Sequence, residues 1–315
     1  MATSTPRPKG PAPNGVLIVD KPRGPTSHDV VARVRRALST RHVGHAGTLD
    51  PMATGVLVVA VGEGTKLVPW LTADDKEYET TIRLGIETDT LDAEGAETSR
   101  APVPGELTDA LRVGARSPLL AAALDAERAR TAQVPPAFSA IRIGGERAHE
   151  LARAGRLEGE LPARPVEVRA VDVLGGRAED GVELDLRIAS AKGYFVRSLA
   201  RDLARGLGTV GHLTALRRVR SGAFLIADAI ALDAVRPEAL MSVADAAARA
   251  LPVTVLDEAG ARAVSFGQRV APEQMTSPHP CASAWLDPAS RLVAIGECGP
   301  DGWGRVLRGF PTPTA

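Results

Sequence analysis

Cysteine is scarce in this chain, and so are the features of membrane or secreted proteins. The 315 residues include two cysteines, Cys281 and Cys298, with no CxxC spacing and no Cys/His cluster. This argues against a disulfide framework and a cysteine-based zinc site, so we expect two reduced thiols. No apolar run approaches the ~20 residues of a membrane-spanning helix, and residues 1–14 lack the hydrophobic segment of a signal peptide. These absences favour a cytoplasmic protein that has no membrane partner.

Aromatic residues and net charge are also low, but the charges are unevenly distributed. Aromatics make up 3% of the chain, and a formal net charge of zero argues weakly against a nucleic-acid partner. Residues 70–109, however, hold eleven acids and three bases, whereas residues 192–222 hold seven bases and one acid. We name these seven bases the basic ridge and interpret it as a polyanion-binding surface, with a solvated helix face as the alternative. The basic ridge comprises Lys192, Arg197, Arg201, Arg205, Arg217, Arg218 and Arg220.

Capping residues begin the first predicted helix. Residues 25–27 (PTS) follow a predicted strand at 15–20 and precede a segment of helical periodicity. The apolar positions of this segment fall on one helix face: Val30, Val31, Val34, Ala37 and Leu38. Its other face carries Arg33, Arg35 and Arg36, which we interpret as facing either solvent or phosphate groups.

Further elements mix strands with helices. Residues 76–84 alternate with Tyr78 on the inward side, residues 183–188 alternate similarly, and helical spacing follows from residue 196. This order predicts an α+β domain rather than a doubly wound parallel fold. From about residue 251 short apolar runs separated by Pro, Gly and Asp predict a small β domain. Residues 1–14, rich in Pro, Gly, Ser and Thr, are predicted to be a disordered tail.

One loop carries the most specific signal. Residues 44–55 read GHAGTLDPMATG and place Asp50 just before Pro51, at the mouth of a predicted buried strand at 56–61. Rigid loops of this kind commonly display reactive groups. An isolated Leu-Asp-Pro would indicate only an Asx-type turn. Embedded in this longer pattern, with His45 five positions upstream, it resembles the catalytic motif of the TruB family of tRNA pseudouridine synthases.

Other segments extend the resemblance across residues 15–225. They match family motifs in order and spacing, and several independent motifs together are more specific than any one. They are residues 15–24 (GVLIVDKPRG), 76–78 (KEY), 133–140 (QVPPAFSA), 192–198 (KGYFVRS) and 216–218 (LRR).

The resemblance implies a fold and a domain division. The expected fold is the pseudouridine synthase fold, an α+β domain whose mixed, largely antiparallel sheet has a central cleft. This catalytic domain would span residues 15–250, and residues 133–155 would form a mobile RNA-binding flap; an ordinary surface hairpin plus helix is the alternative. Residues 251–315 would form a small, β-rich, PUA-like RNA-binding domain.

The resemblance also implies an activity. It is the isomerisation of uridine to pseudouridine at position 55 in the T loop of tRNA, by base flipping and attack of an aspartate. The protein would act as a monomer on tRNA without guide RNA. Isomerisation transfers no net electrons, so no cofactor and no metal are expected, and the sequence contains no nucleotide-binding fingerprint or metal-ligand cluster. The alternative is a non-catalytic RNA-binding protein or tRNA-folding chaperone of the same fold.

Catalytic roles carried over by resemblance fall on three residues. Asp50 would act as a nucleophile on C6 or C1′ of the uridine, or as a base that draws a proton from the ribose. Tyr78 would stack on the flipped uracil and assist removal of the C5 proton; a core tyrosine is the alternative. Arg197 would pair with Asp50 and keep it ionised and oriented, whereas the alternative makes it a surface member of the basic ridge.

Four more residues are expected to contact substrate or support the site. His45 would pack against the displaced nucleotide, although a lone histidine in a glycine loop is otherwise a turn residue. Phe195 stands where family members often carry tyrosine, so the aromatic wall of the pocket would be kept while the hydroxyl hydrogen bond would be lost. Leu216 would close the apolar wall of the pocket. Lys21 would brace the site rather than react, and we interpret Asp92 with the same caution.

Overall fold

The computed structural model describes residues 12–73, 75–157 and 159–311, so most of the predicted disordered tail lies outside the described residues. Helices are interspersed with runs of strands along the chain, and we number each kind in chain order. The helices are α1 (Ser27–Ala37), α2 (Val68–Ala73), α3 (Gly105–Arg112), α4 (Pro118–Arg128), α5 (Ala148–Arg153), α6 (Val196–Gly206), α7 (Val243–Ala250) and α8 (Glu258–Ser265). The strands of the first half are β1 (Gly15–Lys21), β2 (Val43–Ala46), β3 (Thr54–Val61), β4 (Lys76–Leu84), β5 (Ile86–Thr88), β6 (Glu97–Arg100), β7 (Ala132–Gln133), β8 (Arg142–Ile143), β9 (Glu146–Arg147) and β10 (Arg164–Pro165). Those of the second half are β11 (Val168–Arg177), β12 (Glu183–Ser190), β13 (Gly211–Ser221), β14 (Phe224–Leu225), β15 (Ile230–Ala231), β16 (Val253–Leu256), β17 (Met275–Thr276), β18 (Ser283–Leu286), β19 (Leu292–Cys298) and β20 (Gly304–Gly309).

The main sheet is mixed and largely antiparallel, as predicted. Its strands run in the order β11-β12-β4-β13-β3-β1-β15, with β2 added to β3 and β14 added to β13. Only the β3–β13 and β1–β15 pairs are parallel. At the centre β3 and β13 meet over two residue pairs, Thr54 with Arg217 and Gly55 with Arg218. A side chain at Gly55 would lie 2.2 Å from the Arg218 carbonyl oxygen, so this close approach requires glycine.

Helix α1 forms where the sequence predicted it. Thr26 is the N-cap residue and forms a capping box with Asp29. The predicted apolar face is buried at Val30, Val31, Val34 and Leu38, whereas Ala37 is exposed. The opposite face, with its arginines, faces solvent.

The basic ridge is not a continuous surface, and the surface prediction is wrong for its three buried members. Arg197, Arg201 and Arg218 are buried. Arg205 lies 3.9 Å from Glu160, and Arg217 and Arg220 form closer ion pairs with the carboxylates of Asp20 and Glu77. Helical periodicity could not show that tertiary packing covers three of the arginines, or that Arg217 and Arg220 pair with carboxylates.

The C-terminal region is β-rich, as predicted from its short apolar runs. Strands β17-β16-β18-β19-β20 form a separate sheet around the fully buried Trp285. The sequence interpretation missed α8, which follows β16. One face of this sheet packs on the main sheet, as shown by one apolar cluster that contains buried residues of both sheets. The cluster includes Val16, Ile18, Val56, Val58, Ala284, Leu292 and Ile295. Across the three described ranges, no helix combines the length and apolarity needed to cross a membrane.

Candidate active site

Asp50 lies in the loop between β2 and β3, and side chains from two other elements hold this loop. Ser27 Oγ, in the first turn of α1, accepts a hydrogen bond from Leu49 N (2.9 Å) and donates one to Leu49 O (3.1 Å). On the other side Lys21 Nζ, from β1, donates to the carbonyl oxygens of Pro51 (3.1 Å) and Ala53 (2.7 Å). The backbone is therefore fixed on both sides of the carboxylate.

Lys21 supports the loop from behind and does not line the pocket at Asp50. Its side chain is fully buried and makes a third hydrogen bond, to Pro22 O at 3.1 Å. Burial lowers the pKa of Lys21 to about 8, against a weaker opposing effect of Asp50. At neutral pH the ammonium therefore supplies one hydrogen to each of three carbonyl oxygens.

Arg197 orients the Asp50 carboxylate. Its Nε lies 2.9 Å from Asp50 Oδ2 and its Nη2 lies 3.2 Å from Oδ1, a two-point pairing. The same guanidinium donates to Thr90 O (2.9 Å) and Phe138 O (2.8 Å). Because Arg197 is buried in the first turn of α6, it is a fixed internal group, not a member of a surface ridge.

Asp92 is a second carboxylate beside Arg197 and, unlike Asp50, it is buried. Its Oδ2 lies 3.7 Å from Arg197 Nη1, and its Oδ1 accepts hydrogen bonds from Thr90 Oγ1 (2.6 Å) and Glu94 N (3.0 Å). Asp92 thus lies beside Nη1 of Arg197, whereas Asp50 pairs with Nε and Nη2. The sequence singled out Asp92 only as a bracing residue, and its contact with Arg197 required the tertiary structure.

A pocket of about 150 Å³ opens at Asp50. Five of the seven predicted site residues line it: Asp50, Tyr78, Phe195, Arg197 and Leu216. They come from the β2–β3 loop, β4, the N-terminus of α6 and β13, so segments that are far apart in sequence meet at one point. Its aromatic and aliphatic walls and single paired carboxylate suit a planar base better than a charged ligand.

His45 lies outside this pocket. It belongs to β2, and its ring makes an edge-to-face contact with His28 of α1, with 5.4 Å between the ring centroids. Burial lowers the pKa of His45, so the imidazole is neutral at neutral pH, and its buried Nδ1 has no hydrogen-bond partner in the described chain. The structure thus places His45 outside the Asp50 pocket and in contact with His28 of α1.

Two buried hydrogen-bond networks fix the pocket wall at 194–195. Tyr194, which also lines the pocket, donates its hydroxyl hydrogen to Glu127 Oε1 of α4 at 2.5 Å. The Gln133 side chain accepts from Phe195 N (2.9 Å) and donates to Phe195 O (3.2 Å). Gln133 was visible in the sequence as part of a motif, but Glu127 was not, because nothing in its sequence context links it to Tyr194.

The predicted flap at 133–155 contributes to the site. It forms the β8–β9 hairpin and α5, and its preceding segment supplies Phe138 O to Arg197 and residues Ser139 and Ala140 to the pocket. The segment thus forms a hairpin and a helix, and its part before the hairpin contacts the Asp50 pocket.

A basic cavity adjoins the pocket. It has a volume of about 670 Å³ and shares Thr48, Tyr78, Tyr194 and Phe195 with the smaller pocket. Its charged lining residues are all basic: Lys76, Arg164, Lys192 and Arg218. This combination places an apolar pocket for a base beside a region that favours anionic groups.

Comparison with known proteins identifies the class and then the family. A Cbf5–Nop10–Gar1 complex contains a chain that superposes with a TM-score of 0.67 at 25% identity, over 91% of this chain and 79% of that one. The pseudouridine synthase fold predicted from the sequence is thus confirmed. The model of the TruB family pseudouridylate synthase N-terminal domain matches residues 35–196, and that of the tRNA pseudouridylate synthase B C-terminal domain matches residues 197–257. The chain belongs to the TruB family, and its activity class is isomerase.

Curated relatives agree with this assignment. The tRNA pseudouridine synthase B of Corynebacterium aurimucosum is 45% identical over 285 residues, which cover 90% of this chain and 91% of that protein. The protein of the same name from Thermobifida fusca is 46% identical over 290 residues, covering 90% of this chain and 94% of the relative. A chain of an H/ACA ribonucleoprotein bound to a substrate RNA shares the fold, with a TM-score of 0.68 at 22% identity over 96% of this chain and 86% of that one.

Proposed function

We propose that the protein converts uridine to pseudouridine in tRNA, at position 55 of the T loop, and that Asp50 is the catalytic carboxylate. The observation that carries the proposal is the convergence of Asp50, Tyr78, Arg197 and Leu216 on one small pocket. The names of the curated relatives support tRNA as the substrate class. Position 55 comes from the resemblance of the motif at 44–55.

The reaction requires a base that has left its stack. The N1–C1′ bond of the uridine breaks, the uracil turns, a C5–C1′ bond forms, the C5 proton leaves and N1 gains a proton. Atoms and electrons balance, so the reaction needs no redox partner. Because the target base is otherwise stacked within the RNA, it must be flipped into an enclosed pocket before the carboxylate can reach it.

Each pocket residue has a role that fits its position. Asp50 acts on the nucleoside, as a nucleophile at C6 or C1′ or as a base toward the ribose. Arg197 pairs with both carboxylate oxygens, which keeps Asp50 oriented through that step. Tyr78 stacks on the uracil and assists loss of the C5 proton, and Phe195 and Leu216 form the apolar walls.

RNA recognition extends beyond the pocket. The adjoining basic cavity, with Lys192 and Arg164 in its lining, accommodates phosphates of the nucleotides that flank the flipped base. Residues 133–155 act as an RNA-binding flap on the 15–250 catalytic domain, and residues 251–315 act as a PUA-like RNA-binding domain. His45 contacts the RNA outside the base pocket, and Lys21 maintains the Asp50 loop.

The test is incubation of the purified protein with unmodified tRNA alone, followed by mapping of pseudouridine. Product at position 55 without guide RNA or another protein is the expected result. A tRNA with cytidine at position 55 is the matched control and should give no product there. Binding without product would instead identify the non-catalytic RNA-binding alternative, and product at another position would overturn the site assignment.

A further inference from the structure

Helix α1 exposes basic side chains that the proposed pocket does not use. Residues 22–49 contain five arginines and one acid, Asp29. Arg33, Arg36 and Arg41 are exposed, and none of their side chains has an ion-pair or hydrogen-bond partner within the described part of the chain. These exposed arginines differ from those of the basic ridge, which are mostly buried or paired with carboxylates.

The single acid does not neutralise this surface. Asp29 is the capping-box residue of α1, and hydrogen bonds from Thr26 are the main cause that lowers its pKa. Arg33 follows Asp29 by one helical turn and makes a smaller contribution to that pKa. Arg36 and Arg41 lie further along the chain, beyond the turn that Asp29 occupies. The remaining charge of the α1 surface is therefore positive over most of its length.

The α1 surface is continuous with the active site. Ser27, the first residue of α1, is hydrogen-bonded to both backbone groups of Leu49, next to Asp50. His28 contacts His45. From this end the 11 residues of α1 extend about 16 Å, at 1.5 Å per residue. An RNA whose target base occupies the pocket can therefore continue onto this helix.

We propose that the exposed arginine face of α1, together with Arg41, binds backbone phosphates of the double-stranded stem that adjoins the target loop. This inference rests on the proposed tRNA activity. The face carries no phenylalanine, tyrosine or tryptophan, since its exposed residues beside the arginines are His28, Asp29 and two alanines. Surfaces that bind single strands combine basic groups with aromatic stacking platforms, so this face suits duplex phosphates, which are read without sequence preference.

The experiment compares salt dependence of binding for the double variant Arg33→Gln/Arg36→Gln and the wild-type protein. Two lost phosphate contacts should reduce the slope of log K against log salt by about 2. Between roughly 50 and 200 mM salt, the wild type should therefore lose about tenfold more affinity for a T-arm stem-loop than the variant loses. The saturated single-turnover rate should not change, because neither residue lines the pocket.

Two controls make the result specific. Arg112→Gln/Arg116→Gln removes the same charge near the end of α3, which supplies no pocket residue, and should leave the slope unchanged. Binding to the isolated loop strand should be equal in wild type and α1 variant. Equal slopes for wild type and α1 variant, or equal reductions in both double variants, would overturn the α1 assignment. Product formation by the wild type on the same stem-loop separately tests the proposed activity.

Discussion

Arg197 holds Asp50 at two points, with Nε 2.9 Å from Oδ2 and Nη2 3.2 Å from Oδ1. The guanidinium also bonds the backbone at Thr90 and Phe138. Three separate segments therefore converge on one buried cation. Movement of any of these segments would change the direction of the carboxylate. The Arg197–Asp50 pair therefore sets the geometry of the site more than any surface charge does.

Replacing Arg197 with lysine should lower the single-turnover rate at saturating enzyme by about a hundredfold, because one ammonium cannot fix both carboxylate oxygens and misplacement of a reacting group has effects of that size. RNA affinity should change little, since Arg197 is buried. The measurement is a rate and a filter-binding constant on the same variant. A wild-type rate in Arg197→Lys would remove the positioning role.

The matched control for Arg197 is Arg205→Gln, an exposed residue of the same helix. Helical spacing alone would have suggested Arg201, one turn away. However, Arg201 is buried and its Nη2 donates to Val134 O at 2.8 Å, so its removal would disturb the fold. Arg205→Gln should leave the saturated rate unchanged.

Tyr194→Phe should lower the free energy of unfolding, because it removes a hydrogen bond that fixes the pocket wall. It removes the donor to the buried Glu127 Oε1, which costs about 1–3 kcal/mol of the free energy of unfolding. Burial raises the pKa of Tyr194 well above its usual value, so the hydroxyl remains a donor at physiological pH. Denaturant unfolding measures the change. Tyr78→Phe is the control: it also removes a tyrosine hydroxyl but breaks no buried bond to a carboxylate, and comparable destabilisation in both variants would contradict this account.

Lys21 should make unfolding pH-dependent. Its pKa is about 8 in the folded protein, lowered by burial from 10.5, so between these values the unfolded chain binds more protons than the folded one. The contribution of Lys21 to the free energy of unfolding should therefore rise as pH increases from 8 to 10.5, by about 3 kcal/mol in total. Comparison with Lys21→Met, which cannot titrate, isolates this contribution. If the free energy of unfolding of the two proteins changed in parallel between pH 8 and 10.5, Lys21 would not be the source of the pH dependence.

Deletion of residues 251–315 should destabilise the main sheet rather than affect RNA binding alone. Ala284, Leu292 and Ile295 pack in the same apolar cluster as Val16 and Val58 of the main sheet. Removing them exposes that face to water, which has a free-energy cost of about 25 cal/mol per Å² of apolar surface. The truncated protein should unfold at a lower temperature by circular dichroism. A truncated protein with wild-type thermal stability would show that the C-terminal sheet is independent.

The family resemblance led us to expect that Arg197, in residues 192–198, pairs with Asp50, in residues 44–55, and the structure has the two side chains in contact. Neither periodicity nor spacing could have given that contact, because it joins segments that are far apart in the sequence. Alternation correctly predicted β4 and β12. The burial of Arg201 and Arg218 could not be predicted, because a charged residue is buried only where the tertiary structure supplies acceptors. The same reason hid the Tyr194–Glu127 bond, which joins residues on separate elements.

The most direct test of the central claim is Asp50→Asn, measured for product and binding on the same preparation. The amide keeps the size of the side chain but can act neither as the carboxylate nucleophile nor as the base. Affinity for tRNA should remain close to wild type, because phosphate contacts supply most of it. Pseudouridine at position 55 should be undetectable in a single-turnover reaction with saturating enzyme. Appreciable product formation by Asp50→Asn would contradict the assignment of Asp50 as the catalytic residue.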